Sequence, residues 1–280
     1  MLKFSVLICV YGKDNADHFD CALDSIAKQT KLPDEVVLVV DGLIPAEIQN
    51  VIDKYKGIFQ NFITEYLPEN KGLGIARRIG TAMCSHELIA MMDADDIAVK
   101  DRFEKQLQCF EEDFALSVCG GYIYEFIDSV ENVVGVREVP LCDQEIKIFM
   151  KKRCPFNHVT AMIKKSELEK SGGYLDWYYN EDYYLWLRMY LQGSKFQNIP
   201  QNLVYVRVGA DMYARRGGIK YFRSEKKLQQ YMLKHKIIGH YTYFINIIKR
   251  FIVQLMLPNK IRAFVFQKFA REKVNIEDVK

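Results

Sequence analysis

The sequence predicts an α/β protein: a doubly wound, mainly parallel sheet followed by a helical C-terminal extension. Three observations predict it. Four strand patterns alternate with three helix patterns in the first 93 residues, the strand patterns are continuous apolar runs, and helical, basic character takes over after residue 216. Continuous apolar runs of strand length suit parallel strands covered on both faces.

Taken in order, Phe4 to Val10 is a β-rich run, and Phe19, Ala22, Leu23 and Ile26 mark one face of a helix ending near Gln29. Val36 to Val40 is the second strand and stops at Asp41-Gly42. Pro45 suits a first helical turn, with Ile48, Val51, Ile52 and Tyr55 at helical spacing behind it. Phe62 to Leu67 is a third strand, Ile75 to Met83 a helix, and Leu88 to Met92 a fourth strand ending at Asp93. Beyond residue 115 the pattern is mixed. Strands are expected over Tyr122 to Ile127, Val133 to Val139 and Val159 to Ile163, with a short helix near 143–151. Ser166 and Glu169 have the spacing of a capping box, and Glu181 to Leu191 opens a further helix. The chain divides into an α/β domain over residues 1–215 and a basic amphipathic helical region over 216–280.

Composition narrows the class. With 280 residues, 49% hydrophobic and 27% charged, the chain can bury one sizeable core. Its seven cysteines are scattered without CxxC or Cys/His ligand spacing, which argues against structural zinc and fits reduced thiols in a cytoplasmic compartment. The first apolar run is short for a signal peptide and is not followed by a small-residue cleavage site. No apolar stretch reaches the roughly 20 residues that a spanning helix needs. Net charge is only +3, but residues 215–280 carry 16 Lys/Arg against 4 Asp/Glu, leaving 23 against 32 before them. A basic end on an acidic body points to an anionic partner.

Chemistry concentrates at strand ends, where ligands of open parallel sheets bind. Tyr11-Gly12, Asp41-Gly42 and Asp93-Ala94-Asp95-Asp96 follow the first, second and fourth strands. Three carboxylates within four residues repel one another, and a divalent cation relieves the conflict. Mg²⁺ or Mn²⁺ suits such hard oxygen donors, completed by substrate phosphates. Gly72 and Gly74 match neither a dinucleotide fingerprint nor a phosphate-binding P-loop.

Six segments together carry a resemblance. They are Ser5-Val6-Leu7-Ile8-Cys9-Val10-Tyr11, Gln29-Thr30 with Pro33-Asp34-Glu35, Val39-Val40-Asp41-Gly42, Asn70-Lys71-Gly72-Leu73-Gly74-Ile75-Ala76-Arg77, Met92-Asp93-Ala94-Asp95-Asp96 and Asn180-Glu181-Asp182. In this order and spacing the chain resembles glycosyltransferase family 2, the inverting GT-A enzymes of bacterial capsule, exopolysaccharide and O-antigen assembly. The resemblance implies a GT-A domain, a nucleotide-diphosphate sugar donor (a UDP-sugar) and transfer of one sugar to a saccharide or polyprenyl-diphosphate-linked acceptor. It places Val10, Tyr11, Asp41 and Arg77 around the nucleotide base, Asp93 at ribose or metal, and Asp95 as the main metal ligand with Asp96 close by. Asp182 becomes the base, with Glu181 orienting acceptor or sugar. His158, Arg207 and Arg215 become contacts to sugar, diphosphate or acceptor, the arginines on a mobile lid. The QxxRW signature of processive members is absent, in keeping with single-sugar addition.

Within the basic region, Phe244, Ile247, Ile248, Phe251, Ile252 and Leu255 share a helical face, and a second basic amphipathic stretch contains Ile261, Phe264, Val265 and Phe269. Such helices lie on anionic lipid, which predicts peripheral attachment to the inner face of the cell membrane rather than nucleic-acid binding. Packing on the α/β domain, or a homodimer interface, is the other use of that face. Two alternative functions are a sugar-phosphate nucleotidyltransferase and a non-catalytic nucleotide- or membrane-binding protein of the same fold.

Overall fold

The computed structural model describes residues 2–209, 217–258 and 261. Its first half follows the predicted alternation: β1 (Phe4–Tyr11), α1 (Ala16–Ala27), β2 (Glu35–Asp41), α2 (Ala46–Lys56), β3 (Phe62–Tyr66), α3 (Leu73–Met83) and β4 (Leu88–Asp93). These four strands are mutually parallel in the order β3-β2-β1-β4. The pleat then sorts the apolar residues. Val6, Ile8, Val10, Val36, Leu38 and Val40 pack with Phe19, Leu23 and Ile26 of α1 and with Ile48 and Ile52 of α2. Leu7, Val37, Val39, Ile89 and Met91 belong to a second cluster on the opposite side, with Ala76 of α3.

The second half extends the same sheet. After β5 (Ile97–Ala98) and α4 (Arg102–Glu112) come β6 (Leu116–Phe126), β7 (Val133–Arg137), α5 (Asp143–Met150), a 3₁₀ turn (His158–Thr160), β8 (Met162–Lys164), α6 (Lys165–Lys170), α7 (Glu181–Leu191) and β9 (Lys195–Arg207). The sheet continues from β4 through antiparallel β8 to β6, β9 and β5, with β7 paired to β6. It is therefore mixed. A strand expected over Val159 to Ile163 is instead the 3₁₀ turn followed by three residues of β8. The capping box is not formed: Ser166 lies inside α6 and donates to the Glu87 carboxylate, while Lys164 takes the cap position.

Two helices close the described chain, α8 (Ile219–Lys234) and α9 (His240–Phe251), the latter continuing into a π-helical turn over Ile252–Met256. Leu228 and Met232 of α8 join the second core cluster, with Trp186 and Leu187 of α7. Polar residues turn α9 toward the rest of the protein. Asn246 donates to the Lys151 carbonyl at 2.9 Å and to Gln229 Oε1 at 2.8 Å, and Arg250 pairs with Glu225. Its apolar stripe faces outward: Phe244 is 59%, Ile248 53% and Ile252 43% exposed. The second amphipathic stretch lies outside the described residues apart from Ile261.

Candidate active site

β1, β2 and β4 end side by side, because Tyr11 pairs with Asp41 and Cys9 with Asp93 in register. The three strand-end features therefore meet. Val10 is buried and Tyr11 is 40% exposed at the end of β1. Asp41 is buried, and its carboxylate accepts the backbone N–H groups of Lys71 at 2.7 Å and Gly72 at 2.9 Å, fastening the loop ahead of α3. The Asp41-Gly42 turn requires its glycine. Gly42 has φ +90°, and a Cβ there would lie 2.7 Å from the Asn70 nitrogen.

The acidic cluster divides by environment. Asp95 is exposed, Asp93 half-buried and Asp96 buried, with Asp96 Oδ1 accepting the Arg207 backbone N–H at 2.8 Å. Burial, reinforced by Asp95 and Asp93, raises the Asp96 carboxyl well above its ordinary value. Asp14, in the loop after β1, is raised to about 6 by burial and by Asp95 and Asp93, although it accepts the Tyr11 N–H at 2.9 Å. Sequence reading missed Asp14; its only signal was a carboxylate three residues past a strand end. Arg207 is held by the Asp95 carbonyl at 3.3 Å and the Asp128 carbonyl at 3.0 Å, with its guanidinium 4.6 Å from the Phe126 ring. Arg215 lies outside the described residues.

Arg77 joins the two halves of the site. Almost fully buried, it donates to Asp93 at 2.9 Å and to Glu181 at 3.0 Å, tying the end of β4 to the start of α7. Burial raises the Glu181 carboxyl against the pull of Arg77, with Asp182 adding to the rise. Asn180 sits at the cap position but caps nothing: its amide reaches Ser224 Oγ at 3.3 Å. Just before it, Tyr179 has φ +53°, a left-handed conformation that costs a bulky residue roughly 1 kcal/mol or more.

Asp182 lines a cavity of about 500 Å³ together with Asp93, Asp96 and His158. The Cys154 thiol donates to Asp182 Oδ2 at 3.7 Å, and burial together with Asp182 pushes that thiol far up, so it stays protonated. His158 Nε2 pairs with the Tyr174 hydroxyl at 2.8 Å, while its Nδ1 is buried without a hydrogen-bond partner. Burial, with Arg77 and Arg102 nearby, pushes His158 well below its usual value, so the ring is neutral at pH 7. It can position a hydroxyl or a carbonyl; it cannot supply charge to a diphosphate. Neither Cys154 nor Tyr174 was legible as a site residue, since each reaches the site only through the fold.

The donors present suit a divalent cation held partly by substrate. Among the described residues no group of three His, Cys, Asp or Glu side chains forms a ready cage. Asp93 and Asp95 with diphosphate oxygens would match the preference of Mg²⁺ for one or two carboxylates. Burial chiefly raises the carboxyls of Asp14 and Asp96, and the neighbouring Asp95 and Asp93 add to the rise.

A strand-end carboxylate cluster is thus joined by a buried arginine to a second acidic pair. The chain belongs to glycosyl transferase family 2, whose model matches residues 5–171. It is 36% identical over 96% of its length, and 97% of the relative's, to an Escherichia coli UDP-Gal:alpha-D-GlcNAc-diphosphoundecaprenol beta-1,3-galactosyltransferase. It is 33% identical to the Erwinia amylovora amylovoran biosynthesis glycosyltransferase AmsE, covering 95% of this chain and 98% of the relative. In fold it is similar to S. aureus TarS 1–349 in complex with UDP-GlcNAc, at TM-score 0.66 and 16% identity, over 99% of this chain and 77% of TarS 1–349. Family membership favours sugar transfer over the nucleotidyltransferase alternative.

Proposed function

We propose that this enzyme moves one sugar, with inversion, from a UDP-sugar to a hydroxyl of a saccharide carried on a lipid diphosphate, during assembly of a cell-surface polysaccharide. One observation carries the reading: Asp182 and the Asp93/Asp96 carboxylates line one cavity, while Arg77 holds the two acidic segments at a fixed separation. Asp182 accepts the acceptor proton as its hydroxyl attacks the anomeric carbon. Glu181, fixed by Arg77, orients acceptor or sugar, and Asp41 with Val10 and Tyr11 receives the nucleotide base. A divalent cation bound by Asp93 and Asp95 would neutralise charge on the departing diphosphate. The E. coli relative's name specifies a UDP-galactose donor and a diphosphoundecaprenol acceptor, which supports both substrate classes here.

Among the described residues no helix is long and apolar enough to cross a membrane. The outward stripe of α9 and the basic tail support peripheral docking on anionic lipid, where a lipid-linked acceptor resides. A panel of nucleotide sugars scored by thermal stabilisation, with Mn²⁺ and with EDTA, tests the donor half. A UDP-sugar is expected to raise Tm only with the metal. Stabilisation by other nucleotides alone, or equal stabilisation in EDTA, would overturn it.

A further inference from the structure

We infer that the cavity between Asp182 and α9 is the subsite for the acceptor's diphosphate, held by Arg137, Arg153 and Lys249. The inference rests on the lipid-diphosphate reading above and adds where this group binds. All three cations line the same cavity as Asp182. The loop over 151–154 puts Arg153 and Cys154 in the cavity's lining. Its Lys151 carbonyl accepts from Asn246 of α9 and its Lys152 carbonyl from Arg250 at 3.1 Å. Two residues on, the Cys154 carbonyl accepts from Arg137 at 3.0 Å, and the Cys154 thiol meets Asp182.

Four residues of extended chain reach at most about 14 Å, so the loop's contacts to α9 and its contact to Asp182 lie within roughly the length of a sugar ring and a diphosphate. An acceptor saccharide needs that arrangement, with its attacked hydroxyl at one end and its anomeric diphosphate at the other. A diphosphate entering a partly enclosed cavity must be matched by cations, and guanidinium groups match it best. Arg250, also in the lining, is paired with Glu225. Lys249 is exposed and lies on α9 between Ile248 and the Phe251-Ile252 pair of the apolar face. A polyprenyl chain leaving the diphosphate would meet that face directly.

The test compares two soluble acceptors, an N-acetylglucosaminyl α-diphosphate with a short alkyl tail and the alkyl α-N-acetylglucosaminide lacking phosphate, with UDP-galactose as donor. Wild-type full-length protein is expected to favour the diphosphate by at least about tenfold in kcat/KM. In the Arg153→Gln and Lys249→Gln proteins the preference is expected to shrink through a rise of about tenfold in acceptor KM, with Arg153→Lys restoring part of it. The UDP concentration giving half-maximal thermal stabilisation is expected to hold in all three variants. Equal use of both acceptors by wild type overturns the inference alone. A matching loss of UDP affinity in the variants also overturns it, because the cations would then serve the donor's diphosphate. No transfer to either acceptor overturns the inference together with the function it rests on.

Discussion

Asp14 is half-buried in the loop after β1, and its carboxyl is raised to about 6 by burial and by its acidic neighbours Asp95 and Asp93. The folded protein thus holds this proton more readily than the unfolded chain does. The resulting stabilisation is complete below the ordinary carboxyl value near 4 and is lost as pH rises through about 6. Asp14→Asn keeps an acceptor for the Tyr11 N–H and removes that loss. Without added metal, Tm of the Asp14→Asn protein is expected to exceed wild type by about 2 °C at pH 7.5 and to match it at pH 4, measured by scanning fluorimetry. A difference independent of pH would contradict this. Asp93, Asp95 and Asp96 stood out in sequence because they follow a clear strand pattern, whereas Glu181 and Asp182 stood out through the family resemblance. What was not legible was their environment. Burial separates Asp96 from Asp95, and the Arg77 bridge spans 104 residues of chain.

Elements were legible where one period dominates. Val36 to Val40 has no polar interruption, and the observed strand extends it by one residue at each end. Three elements went unread, the two-residue β5 among them. Helix α4 carries Phe103, Gln106, Leu107 and Phe110 on its buried face, a helical spacing present in the sequence but overshadowed by the acidic cluster before it. Strand β9 contains Pro200, which speaks against a strand interior. The fold accommodates the proline at a shift in register, where Gly121 pairs with Ile199 but Tyr122 pairs with Asn202. Helix α3 shows how closely an element can be docked. A Cβ on Gly80 would lie 2.3 Å from Leu7 Cδ1 and 2.9 Å from Val39 Cγ2. Overpacking of this kind costs typically 1–3 kcal/mol, while Gly→Ala in a helix returns about 1. Gly80→Ala should therefore destabilise only modestly and Gly80→Val by about 3 kcal/mol, read from urea midpoints. A neutral valine would show that α3 can lift from the sheet without penalty.

For the whole molecule, the charge division between residues 1–214 and 215–280 and the outward stripe of α9 point the same way. The amphipathic pattern was legible; which face turned inward was not. Asn246 and Arg250 find buried partners, so the polar side packs and the apolar side is left exposed. A triple substitution, Phe244→Ser, Ile248→Ser and Ile252→Ser, is expected to abolish sedimentation with phosphatidylglycerol vesicles without lowering Tm. Undiminished sedimentation would place the lipid contact elsewhere. Such docking would set the acceptor at a cavity whose opposite end is formed by donor-side carboxylates, and the account depends on that shared cavity. Asp182→Asn tests it most directly, with turnover of UDP-sugar and diphosphate acceptor measured beside UDP-induced stabilisation. Turnover is predicted to fall by about 10²–10⁴-fold, the range a general base contributes, with UDP stabilisation retained. Wild-type-like turnover would contradict the account.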